Sequence, residues 1–214
     1  MQLIQVKGSP FAARARLLIY RKEAPVEMVF PPKEGLKTPE FLAVNPIGKI
    51  PVLKLDDGSS LPESNVILEY LEDKYPEPSL RPGTPEARAR MRLLMQIGDL
   101  YVFAAVGKLF RQVNPEKRDA AIVEQGFADL AKALANLEHN LGDQGFAVDG
   151  AYSLADCSLV PVLFFVAVME KSFGRQGVFG DGKLARYWAE IRHDDVTARV
   201  IAELEDGVRR ILMR

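Results

Sequence analysis

In Gly8-Ser9-Pro10-Phe11 a hydroxyl stands where it could act on a reactive group. A short apolar run ends at Gly8; Ser9 and Pro10 follow, and then a stretch with helical periodicity begins. Ser9 suits the cap of that helix, because its oxygen can accept an N–H of the first turn. Proline at the first helical position gives up no hydrogen bond. The same hydroxyl, sitting at a helix N-terminus, can also donate to a thiolate and favour it over the thiol. On this stretch alone both readings stand.

Two other pieces suit a ligand that would reach Ser9. In 61–71, LPESNVILEYL, Glu63 and Ser64 open a helix directly after a short strand. Free N–H groups and the dipole at that end favour an anion. Ser64 can donate to a carboxylate and Glu63 can accept from an ammonium, so the pair suits the head of an α-amino acid. Plain capping by either residue explains the pattern equally well. In 45–55, NPIGKIPVLKL, Pro51 stands at the entry of an apolar strand, where a missing N–H is tolerated. A cis Ile50–Pro51 bond would turn the N–H and C=O of Ile50 outward, towards an extended peptide. A peptide held at both places would extend towards Ser9, at the strand edge where open sheets of this kind bind ligands. A free thiol with a pKa of about 8.5 is only a few per cent ionised at neutral pH. Lowering that value by about 2 takes about 2.7 kcal/mol. A charge-assisted hydrogen bond supplies about 1.5–3 kcal/mol, and a helix end about 0.3–1 kcal/mol more.

These residues need elements to position them. Residues 2–6, 26–30 and 50–55 read as strands, and 59–61 as a short returning strand after the Asp57-Gly58 turn. Residues 10–22 read as a helix, with Phe11, Ala15, Leu18 and Ile19 at helical spacing, and 63–75 as a second helix that stops before Pro76. With one helical turn near Pro39, the order is β-α-β-α-β-β-α. Four prolines in 76–85 mark a linker. Beyond it the pattern predicts helices at 85–112, 118–141, 153–172, 182–193 and 195–212, and no strand. The division is therefore an α/β domain over 1–78, a linker over 79–87 and an all-helical domain over 88–214. Pro161 predicts a kink or break in its helix. Ser153 and Asp156, in YSLADC, form the pattern of a capping box, and Cys157 reads as a buried small thiol.

Composition excludes several functions. With 28 basic and 29 acidic residues the formal net charge is −1, which leaves no basic field for nucleic acid. One cysteine excludes an internal disulfide, and the two histidines, His139 and His193, lie far apart and cannot build a histidine-rich metal site, so no metal site is expected. The apolar run 159–169 is too short to cross a bilayer. The first strand begins at once, so no signal peptide is expected. These observations point to a cytoplasmic protein with neither membrane nor nucleic-acid partners.

Taken together, SPFAARARLLI (9–19), NPIGKIPVL (45–53), LPESNVILEYLEDKYP (61–76) and GAYSLADCSLVPVL (150–163) resemble the cytosolic glutathione transferase superfamily in order and spacing. The resemblance spans essentially the whole chain. It implies a thioredoxin-like N-terminal domain that binds glutathione, followed by an all-helical domain, with Ser153 and Asp156 capping a core helix. By the same resemblance Glu63 and Ser64 would hold the γ-glutamyl group, and Ile50 beside a cis Pro51 would pair with the cysteinyl backbone. Lys37 or Lys49 would meet the glycyl carboxylate, Phe11 would line the site, and Ser9 would stabilise the thiolate. SPFAARARL is similar to the omega-type opening Cys-Pro-Phe, with serine in the cysteine position. Serine forms no disulfide, which argues against redox catalysis at position 9 and for thiolate activation, as in serine-type transferases. The implied function is detoxifying attack of bound glutathione on an electrophilic carbon or a peroxide. The electrophile would sit between the domains near Phe11, Tyr101 and Phe110, whose helical spacing equally suits an ordinary core. Two alternatives share the scaffold. One is a non-catalytic binding protein; the other is a glutathione-dependent isomerase, lyase or dehalogenase. Family analogy implies a homodimer, formed through the helix at 63–75 and the long helices.

Overall fold

The computed structural model describes residues 1–148 and 150–212. Contacts group them into two units, Met1–Leu80 with the stretch from Asp195 onward, and Arg81–Asp194. The first unit begins β1 (Gln2–Ile4), α1 (Pro10–Arg21), β2 (Glu27–Val29), α2 (Pro39–Val44), β3 (Val52–Lys54), β4 (Ser60–Pro62) and α3 (Ser64–Lys74). The helical unit holds α4 (Pro85–Ile97), a π-helical stretch Gly98–Phe103, α5 (Ala104–Phe110), α6 (Ala120–Asn140), α7 (Leu154–Ser172) and α8 (Lys183–Ile191). The last helix, α9 (Asp195–Leu212), belongs by contact to the first unit.

A hydroxyl followed by proline starts three helices. Ser9, Thr38 and Thr84 accept from the N–H of Ala12, Phe41 and Ala87, and Pro10, Pro39 and Pro85 take the next position. The sheet runs in the order β2-β1-β3-β4, with β1 parallel to β2 and antiparallel to β3. The β3–β4 hairpin turns at Gly58, whose φ of 87° only glycine adopts without strain. Leu3 pairs with Leu53, and Ile4 with Val52. Because side chains alternate, the two pairs face opposite sides of the sheet. Ile4 and Val52 pack on Phe41 of α2. Leu3 and Leu53 therefore face the other side, and α1 and α3, which bury Leu17, Leu18, Ile67, Leu68 and Leu71, pack on each other. This is the thioredoxin-like arrangement, and it is followed by a helical domain. Both layers were legible from the strand and helix periodicities.

Three features depart from the sequence expectation. The first is α7, which is unbroken despite Pro161. It is buried almost all round, from Leu154 to Val166, so packing on every side keeps the helix from breaking at the missing N–H. The second is the helix expected over 85–112, which is interrupted by the π-helical stretch. An extra residue in a turn breaks the 3.6-residue spacing behind the core reading of Tyr101 and Phe110; they are 55% and 46% exposed instead. The third is the run Pro85–Phe110, which by length and mean hydropathy matches a membrane-spanning helix, a match the apolar run 159–169 does not make. Within its unit, α4 packs against α6 and α7 and buries Met91, Leu94, Met95 and Ile97.

In the helical unit, Ser153 N and Oγ both donate to Asp156 Oδ2, at 2.8 and 2.9 Å, at the start of α7. Asp156 Oδ1 also accepts from Ala147 N at 2.8 Å and from Tyr187 OH at 3.0 Å. One carboxylate thus joins the loop before α7 to α8. Burial pushes its pKa up, and these four donors oppose that shift. Burial, followed by the neighbouring Asp156 charge, pushes the Tyr187 hydroxyl well up. Cys157 is buried beside them.

Candidate functional site

An open groove runs along the first unit, lined by Phe11, Asn45, Lys49, Ile50, Pro51, Pro62, Glu63 and Ser64. Three separate sequence segments meet there: the start of α1, the loop into β3, and the β4–α3 junction. The Ile50–Pro51 peptide is cis.

At the α3 end, Glu63 occupies the N-cap position with φ 70° and ψ 114°. A left-handed φ is a strained conformation for a residue with a Cβ, and such strain collects at ligand-holding positions. The Glu63 side chain makes no capping hydrogen bond to α3, and it is exposed at the groove. Ser64 is only 5% exposed. Its Oγ accepts from Arg14 Nη1 at 3.3 Å, and the same nitrogen donates to Asn65 Oδ1 at 3.2 Å. A hydroxyl that accepts through its oxygen keeps a proton to donate. Arg14 is fully buried in α1, with its guanidinium 5.1 Å from the centre of the Phe11 ring. Its positive charge stands behind Ser64 and adds to the anion-attracting end of α3.

Ser9 caps α1, accepting from Ala12 N at 3.3 Å, while its own N–H donates to Val6 O at 3.1 Å. Capping uses a lone pair of the oxygen. Among the described contacts nothing takes the hydroxyl proton, so Ser9 can cap and donate at once. The two readings of the opening stretch are therefore compatible. Ser9 is half-buried and is not itself a lining residue of the groove; Phe11, two positions on, is.

The loop into β3 is braced from inside by Asn45, which is 1% exposed. Its Nδ2 donates to Lys49 O at 2.8 Å, and its Oδ1 accepts from Ile47 N at 3.1 Å. Lys49 lines the groove. Lys37 lies outside the lining and donates to Ile47 O at 3.1 Å. Periodicity did not single out Arg14 or Asn45. Arg14 sits in ARAR, two charges inside the apolar stretch 11–19, and that placement is the signal available for it. Asn45 precedes a proline, as turn-forming residues do.

Beneath the β1–α1 turn lies a buried ionic cluster. Arg16, 1% exposed, donates to Gln5 Oε1 at 2.7 Å, Lys7 O at 2.8 Å and Val6 O at 3.3 Å. Its Nε stands 2.9 Å from Glu203 Oε2 of α9. Tyr20 OH donates to Glu203 Oε1 at 3.1 Å. Burial lowers the Arg16 pKa against the opposing pull of Glu203. Burial, and then the Glu203 charge, raises that of Tyr20.

Models of the glutathione S-transferase N-terminal and C-terminal domains match residues 3–79 and 100–194. Maleylacetoacetate isomerase from Pseudomonas aeruginosa is 37% identical over 133 residues, which is 60% of this chain and 61% of that protein. The match to that relative thus spans less than two thirds of its length. A glutathione S-transferase of Arabidopsis thaliana is 29% identical over 177 residues, 77% of this chain and 80% of that one. A glutathione S-transferase from Methylobacterium radiotolerans, in complex with glutathione sulfonate, shares the fold with a TM-score of 0.76 and 28% identity. That likeness covers 94% of this chain and 93% of the other. Both domains of one family match in their proper order, and the fold is shared over nearly the full length. The chain belongs to the glutathione S-transferase family.

Proposed function

We propose that this protein is a glutathione transferase that activates the thiol of bound glutathione for attack on an electrophilic small molecule or a peroxide. The observation that carries the reading is the groove: Ile50, Pro51, Glu63 and Ser64 line one concave surface, with the Arg14 charge behind Ser64. The α-carboxylate of the γ-glutamyl group is assigned to Ser64 Oγ and the N-terminus of α3, and its ammonium to Glu63. The cysteinyl backbone is assigned to Ile50, and the glycyl carboxylate to Lys49, which lines the groove, in preference to Lys37. Ser9 donates its unused proton to the thiolate and is not the nucleophile. The sulfur forms the bond to the electrophilic carbon, the leaving group departs with the bond's electron pair, and the thiol proton has already gone to solvent. Phe11, on the groove, is the candidate to touch the electrophile.

We further place the protein in the cytoplasm, where glutathione is kept reduced, and as a homodimer. Exposed Val66 on α3 and Leu93 on α4 are apolar side chains that a second copy would cover. Light scattering should give the mass of two chains, and a single-chain mass would contradict this.

The test is turnover of glutathione with an activated aryl halide and with a hydroperoxide. Conjugation or peroxide reduction that saturates in glutathione is expected. Binding of glutathione with no turnover on either substrate would contradict the transferase reading. A glutathione-dependent isomerase is the second reading, favoured by the 37% identity to maleylacetoacetate isomerase. Isomerisation of maleylacetoacetate much faster than any conjugation would select it.

A further inference from the structure

We infer that α9 is a positioning element for Ser9. Its Gly207 lies against Gly8, and its Glu203 holds Arg16, so that the helix sets where the β1–α1 turn carries the Ser9 hydroxyl. The inference rests on the role proposed above for Ser9.

Three observations converge on this turn. First, Gly8 and Gly207 are both buried and meet backbone to backbone. A Cβ built on Gly8 would lie 3.0 Å from Gly207 C and 3.2 Å from Gly207 O. A Cβ on Gly207 would overlap Gly8 N and Cα and lie 2.8 Å from Lys7 C. Neither partner is a side chain that can swing aside. Second, the Arg16 guanidinium holds the carbonyls of Val6 and Lys7, and Glu203 of α9 holds Arg16. Third, the Val6 carbonyl that receives Arg16 also receives the Ser9 N–H. A continuous chain of contacts therefore runs from Glu203 through Arg16 and Val6 O to the backbone of Ser9.

Stiffness decides which side yields. α9 is an 18-residue helix anchored on its inner face by Thr197, Val200 and Leu204, all fully buried. The turn that it meets is short and has fewer hydrogen bonds of its own. A methyl added at Gly207 therefore moves the turn, and Ser9 moves with it. Hydrogen bonds weaken steeply with distance and angle, and small misplacements in a reacting site have large effects on rate. The groove residues that hold the tripeptide sit on other segments and stay in place.

The test compares Gly207→Ala and Glu203→Gln with wild type and with Glu205→Gln, a change at an exposed position on the same helix. Two readouts are taken: the pH titration of the bound thiolate by absorbance, and amide exchange at Ser9 and Ala13 without ligand. Gly207→Ala is expected to raise the apparent pKa of bound glutathione by about one pH unit and lower kcat about tenfold on the acidic side. Its glutathione Kd should stay within about threefold of wild type, and exchange at Ser9 should accelerate. Glu203→Gln keeps the shape and removes the charge, so it should shift both readouts in the same direction by less. It remains informative if Gly207→Ala fails to fold. Glu205→Gln should match wild type. A purely structural role would lower the melting temperature and leave the thiol titration and Ser9 exchange of the folded protein unchanged; that result overturns the inference. If wild type itself binds no glutathione, the proposed function fails, while the ligand-free exchange still decides whether α9 holds the turn.

Discussion

Ser9 uses one oxygen in two ways, and its removal separates them. Ser9→Ala loses the cap, which should lower stability by about 0.5–2 kcal/mol in urea unfolding. It also loses the donor to the thiolate, so the pH profile of kcat should move upward and kcat at neutral pH fall by about tenfold or more. Glutathione affinity should stay within a few-fold, and an unmoved thiol titration would refute the donor role. Ser64→Ala should behave in the opposite way. Losing a hydrogen bond to a charged group is worth about 1.5–3 kcal/mol, or roughly ten- to hundredfold in Kd. Calorimetry showing wild-type affinity would remove Ser64 from the head-group assignment. Pro51, Glu63 and Ser64 were legible as groove residues, and Ser9 as a helix cap, because each breaks a local pattern: a serine before proline, a proline at a strand entry, an acceptor and a donor opening a helix. Arg14 was not. Its importance comes from a hydrogen bond to a residue 50 positions away, which no local pattern carries.

At the scale of elements, two buried ionic groups hold the pieces in place. Lys22, at the end of α1, pairs with Glu72 of α3 at 2.8 Å and donates to Tyr75 O and Pro78 O, each at 2.7 Å. Glu72 Oε1 accepts from Leu80 N at 2.9 Å. Glu72→Ala leaves the Lys22 ammonium buried without its carboxylate and should destabilise the protein by about 3–5 kcal/mol. A loss below about 1 kcal/mol in denaturant unfolding would show that the carbonyls alone satisfy Lys22. Asp156→Asn turns an amide N–H towards groups that themselves donate. It should cost about 1–3 kcal/mol for each stranded donor, and a melting temperature equal to wild type would contradict that. The capping box was legible because its two residues are three apart. The bonds to Ala147 and Tyr187 span 9 and 31 positions and become visible only in the fold. The π-helical stretch was hidden for a related reason: its apolar residues suit a helix of either spacing, and its contacts with α6 and α7 become visible only in the fold. Gly207 is a local clue of a different kind. Glycine inside a helix costs about 1 kcal/mol relative to alanine, and here the close approach of another backbone requires it.

Across the whole molecule, sequence order and contact order differ in one place. The helical run continues to the last helix, yet α9 groups with the β-α-β-α-β-β-α unit because its buried stripe and Glu203 face α1. Periodicity shows which face of a helix is apolar, not which unit it meets, and so this return was not legible. Ligand binding should stabilise the entire protein. At 100 times Kd, glutathione is expected to add about 2.7 kcal/mol of apparent stability. The most direct test of the central claim is a calorimetric titration of the wild-type protein with glutathione, run in parallel with Ser64→Ala. Saturable binding with Kd below about one millimolar, weakened roughly tenfold or more by the substitution, is expected. A wild-type protein that shows no saturable binding up to millimolar glutathione would contradict the account.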